Sequence, residues 1–271
     1  MAIENKKVVL LPLKNEEVHE ARRTPRLIGK QTTWRPIAVS ARTVVTPPQP
    51  IVERQILAVL DQPDIQERHK MIANDVLRLL PVRCQQKINN FYVRYEKPER
   101  RGLAGKDTII LDGTLPDDEF RAVLIHEALG HVFDLGCLQG SALAGQSAFL
   151  DGSDPIFNDD LSVSFYRISW LNAKAQKPNT HPEDFVTGYA EADPFEDLAE
   201  SAIYYILQNQ TFTERARSNS ILATKLKWFQ TFLPVTPMPH DALTAAWDGE
   251  IPWDATKLPY EWKNTAIVAR Q

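Results

Sequence analysis

The sequence predicts an α+β fold, mainly helical, with a small sheet beside the helix that carries most of its chemistry. Three observations predict it. Two short β-rich runs, Phe91-Tyr92-Val93-Arg94-Tyr95 and Thr108-Ile109-Ile110-Leu111, lie close together in the chain. Long stretches before and after them keep helical apolar spacing. Breakers separate the two kinds of segment, Pro81 ahead of the first run and Asp112-Gly113 behind the second.

The elements follow in order. Residues 1–60 read as an extension, with a short strand at Val8-Val9-Leu10-Leu11 and a Pro-rich stretch over 40–50. Ile51, Ile56, Leu57 and Leu60 keep an approximate helical period, broken by Asp61-Gln62-Pro63-Asp64. A stronger helix spans about 65–80 and carries Ile65, Met71, Ile72, Val76, Leu79 and Leu80 on its apolar stripe. Pro98, Gly102 and Gly105 make 97–106 a turn or loop. Pro116-Asp117-Asp118-Glu119 starts the next helix, with acids at the positive end of its dipole, and that helix ends near Gly136. Residues 141–160 read as a loop. Asp151, Asp154, Asp159 and Asp160 gather there without the spacing of an EF-hand, so an exposed acidic loop is expected and calcium is left open. Leu161–Leu171 is a short helix and 172–184 is polar. Asp193 caps, and Pro194 opens, a helix over about 194–208. A further helix covers about 213–232. The organisation is thus an extension (1–60), a core domain (61–233) and an irregular tail (234–271) rich in Pro and Trp.

Composition excludes several classes of function. At 271 residues the chain can bury a real core without staples, and 43% apolar with 24% charged residues are globular values. A net charge of -4 is not a nucleic-acid-binding balance, and Arg22-Arg23 to Arg26 reads as a solvated arm. No stretch approaches a membrane span. The apolar run Val8–Leu13 is too short for a convincing signal peptide, and the compartment stays open. Cys84 and Cys137 form either one bridge or two buried thiols.

The chemistry lies in His126-Glu127-Ala128-Leu129-Gly130-His131, inside the apolar helix that begins near Asp117. Burying these polar groups is costly unless something satisfies them, and a zinc ion would satisfy both imidazoles. The histidines are five apart rather than the usual four. In a regular helix that spacing turns the second ligand roughly 140° out of line. The sequence therefore predicts a π-bulge between them, eased by Gly130. A catalytic site also needs a third ligand from another element. Glu196 is the candidate, on the predicted helix at 194–208. Glu200, one turn on, would orient a ligand histidine and is the runner-up ligand. Glu127 is the candidate general base. Asp134 would hold an imidazole or cap local backbone.

This arrangement resembles the gluzincin peptidases, where H-E-x-x-H on one helix is completed by a glutamate on a later one. Gly188-Tyr189 and Pro194-Phe195-Glu196-Asp197-Leu198-Ala199-Glu200 resemble the anthrax lethal factor family and related small bacterial zinc peptidases, with their P-x-E-D-x-A-E signature. The extra residue before His131 resembles the H-E-L-L-G-H motif of dipeptidyl-peptidase III. The resemblance covers about residues 89–210 and implies a zincin-like catalytic domain that hydrolyses peptide or protein substrates. Zn2+ would be held by His126, His131 and Glu196, with Tyr189 donating to the oxyanion. It also implies that Thr108–Leu111 is the edge strand for an extended substrate. The N-terminal extension or the tail could cover the cleft. The alternative is a non-catalytic zinc-binding interaction module derived from such an enzyme, which would have no use for Glu127.

Overall fold

The computed structural model describes residues 55–96 and 100–238, all within one unit, Glu53–Gln271. The expectations for 1–54, and for the tail beyond 238, lie outside the described residues. Among the described residues the architecture is α+β with a helical core and three small sheets.

Helix α1, Glu67–Leu77, buries Ile72, Ala73, Val76 and Leu77, as its apolar period predicts. Just before it, Leu60 is buried in the same core, and the Leu57 amide donates to Asn74 Oδ1 at 3.1 Å. After the short α2, Val82–Gln85, come β1 (Asn90–Arg94), β2 (Gly102–Ala104) and β3 (Thr108–Asp112). They form one sheet in the order β1-β3-β2, with β1 parallel and β2 antiparallel to β3. Two expectations change here. Thr108–Asp112 is the central strand and not an edge. The edge is β2, inside the segment read as a loop. Gly102 and Gly105 masked it, because strand formation here comes from pairing with β3 and not from local preference.

Helix α3, Asp117–Ile125, carries Asp117, Asp118 and Glu119 in its first turn. It continues directly into a π-helix, His126–Cys137. The expected loop at 141–160 contains a hairpin, β4 (Gln146–Asp151) and β5 (Asp154–Phe157). Gly152, at φ +61°, makes its turn, and the pair Asp151-Gly152 is a hairpin signal that the loop reading passed over. Helix α4 spans Leu161–Ser169, and a small hairpin, β6 (Trp170–Asn172) with β7 (Ala175–Gln176), interrupts the polar stretch after it.

Helix α5, Pro194–Leu207, begins as predicted, with Asp193 accepting from the Phe195 and Glu196 amides. It is buried along nearly its whole length, between α3, α4 and the π-helix on one side and α6 and α7 on the other. The expected single helix at 213–232 is two, α6 (Asn209–Ser218) and α7 (Ser220–Phe232). Asn219 breaks it by accepting from the Ile221 and Leu222 amides.

Cys84, in α2, is disulfide-bonded to Cys137, the last residue of the π-helix, with Cα atoms 5.3 Å apart. Of the two options left by the sequence, the bridge is realised. By the chain-entropy account a loop this long is worth about 4 kcal/mol. Such bridges persist in oxidising surroundings. Among the described residues, no helix is long and apolar enough to cross a membrane.

Candidate metal centre

The site begins with the π-helix. Its hydrogen bonds run from residue i to i+5, so residues five apart come onto one face. His126 and His131 are such a pair, with ring centroids 4.9 Å apart. The spacing that would scatter two ligands on an α-helix brings them together here. Gly130 has a second role: a Cβ there would overlap Ala199, so its absence lets α5 approach the π-helix closely.

That approach delivers two glutamates. Glu196 Oε2 lies 3.0 Å from His126 Nε2 and 3.6 Å from His131 Nε2. Glu200 Oε1 lies 3.0 Å from His126 Nδ1. His126 is thus held on both nitrogens, and Glu200 occupies the one facing away from His131 and Glu196. Tyr189, in a short turn before α5, donates to Glu196 Oε1 at 3.0 Å and stacks on His126. One nitrogen from each imidazole and one Glu196 oxygen lie within 4.8 Å of one another.

No known protein family, curated protein or solved structure matches the chain. Two nitrogens and one carboxylate oxygen are nonetheless the donor set of a catalytic zinc site. The surroundings fit such an ion. Glu196 Oε2 is buried and accepts no hydrogen bond, because the His126 contact lacks the geometry of one. A buried acceptor left this way is costly, and a cation between the three groups would satisfy it. The electrostatics agree. Burial opposes a charge on His126, yet Glu196 and Glu200 hold its pKa well above the ordinary value. Burial likewise opposes a charge on Glu196, yet the two imidazoles pull it below the usual carboxylate range. The pocket calls for positive charge. It is the only cluster among the described residues able to enclose an ion; the carboxylates of the 151–160 hairpin do not converge in this way.

Glu127 is 6% exposed and is pushed up by burial, against the pull of His126 and His131. It sits against β2, accepting from the Ala104 backbone, and a Cβ at Gly102 would overlap its carboxylate. Gly102, read as a loop glycine, makes room for the candidate base. Glu191, a considered alternative ligand, lies outside the cluster. Thr187, which donates to Glu200 Oε2 at 2.8 Å, was not foreseen, and a hydroxyl residue in a polar segment carries no signal that could have found it.

Asp134 neither holds an imidazole nor caps the backbone. Its Oδ2 accepts from the buried Tyr166 hydroxyl, and its Oδ1 has no partner. Burial lifts its pKa to about 7. The folded state therefore keeps a proton that the unfolded chain gives up near pH 4. The stability this proton contributes is full below about pH 4 and is lost as pH rises through about 7. Asp134→Asn carries no such dependence. Relative to wild type it should gain on the order of 3 kcal/mol between pH 4 and pH 8, measured by urea unfolding. Parallel pH profiles for the two proteins would show that Asp134 is ionised throughout.

Proposed function

We propose that this chain is a zinc-dependent peptidase of gluzincin type, related in its site to the lethal factor-like and small bacterial zinc peptidases, with residues 61–233 as its catalytic domain. The observation that carries the reading is the buried, unsatisfied Glu196 Oε2 facing two imidazole nitrogens, with a second, unliganded carboxylate beside them on Glu127. A closed structural site gives no role to that second carboxylate.

His126, His131 and Glu196 would hold the ion, and Glu200 orients His126. Bound zinc supplies a water of lowered pKa and polarises a carbonyl. Glu127, raised by burial, takes a proton from the attacking water and passes it to the leaving amine. Tyr189, whose hydroxyl already points into the site, is the donor available to the developing oxyanion. The edge of β2, running beside Glu127, suits an extended peptide added as a further strand.

The test is metal content together with cleavage. Wild type should carry about one zinc per chain, and His126→Ala and Glu196→Ala should each lose both the metal and the cleavage of a broad peptide library. A wild-type chain that takes up no zinc ends this reading.

A further inference from the structure

One short segment, residues 184–190, serves both α5 glutamates. Tyr189 donates to Glu196, and Thr187 donates to Glu200. The direction of the second bond is set by the backbone. The Ala190 amide donates to Thr187 Oγ1 at 3.1 Å, so the single hydroxyl hydrogen goes to Glu200 Oε2. That leaves Glu200 Oε1 for His126 Nδ1 and turns Nε2 toward His131 and Glu196. Thr187 and Glu200 are 2% and 1% exposed, so water does not compete for these bonds. The segment itself is pinned from behind. Arg215 on α6 donates to the Val186 and Phe185 carbonyls at 2.7 and 2.6 Å, and Lys225 on α7 donates to the Asp184 carbonyl at 2.8 Å.

We infer that Thr187 is a positioning residue for the metal site, fixing Glu200 so that His126 presents Nε2 in register with His131 and Glu196. The inference rests on the zinc reading above. Groups that orient a ligand histidine typically govern metal affinity by 10–100-fold.

Two substitutions separate the hydroxyl from the packing. Thr187→Val keeps the shape and removes the donor; Thr187→Ser keeps the donor and removes the methyl. Zinc affinity is read by competition with a chromogenic chelator, and site geometry by the visible absorption of the Co2+-substituted protein. Thr187→Val is expected to bind zinc about 10-fold or more weakly and to shift the Co2+ bands. Thr187→Ser should stay near wild type in both. If Val matches wild type, or if Ser loses as much as Val, the hydroxyl does not position the site and the inference is overturned while the zinc reading stands. If wild type itself binds no zinc, both fall together. Should Thr187→Val fail to fold, the Ser variant still decides, since a packing role alone predicts that its affinity drops.

Discussion

Glu127→Gln is expected to retain about one zinc per chain while its peptide cleavage falls by roughly 10²–10⁴-fold. Gln keeps the volume of Glu, which matters in a site where Gly102 leaves room for the side chain and nothing larger. Its carbonyl can still accept from the Ala104 backbone. It removes a carboxylate that burial disfavours, so the variant should fold at least as well as wild type. What it cannot do is take a proton. Loss of activity with retained metal therefore separates a proton-transfer role from a structural one. Cleavage at the wild-type rate would remove Glu127 from the chemistry and return the chain to the reading of a zinc-holding module.

A second large effect is expected far from the cleft. Lys225 is fully buried, with Nζ 2.8 Å from both Asp197 and the Asp184 carbonyl, and 4.2 Å from the centre of the Phe185 ring. Asp197 is equally buried and also accepts from Trp170 Nε1 at 3.0 Å. The pair ties α7 to α5 immediately beside Glu196. Lys225→Met would leave the Asp197 charge without its cation and should cost about 3–5 kcal/mol. Adding Asp197→Asn, which removes the charge and keeps an acceptor for Trp170, should recover a large part of that loss. Denaturant unfolding of the two variants checks both statements. A loss under 1 kcal/mol in Lys225→Met, or no recovery in the double variant, would show that the pair is not what holds the two helices together.

Much of the chemistry was legible because it is local. A polar triplet inside an apolar helix is costly without a partner, and His126, Glu127 and His131 announce themselves for that reason. The five-residue interval forced the π-helical geometry before any coordinates, since only that winding aligns both rings. Asp193-Pro194 marked the start of α5 by ordinary capping chemistry. The outlines of α1, β1, β3, α4 and α5 followed from apolar period and breakers alone.

Other features depended on partners distant in the chain. β2 is three residues with a glycine, and it exists because β3 offers an open edge. The bridge between Cys84 and Cys137 needs α2 to meet the end of the π-helix, which no spacing rule states. Asp134 looked like a support for His131 and instead meets Tyr166. Thr187 matters only because Glu200 comes to it from 13 positions away. Period, capping and the cost of burying polar groups act within a few residues, and these the sequence by itself determined: the helices, the unusual winding and the identity of the donor atoms. Which carboxylate faces which nitrogen is decided over distances the chain does not encode locally, by the close contact of Gly130 with Ala199 and by the cations that pin residues 184–186, and only the tertiary structure decided it.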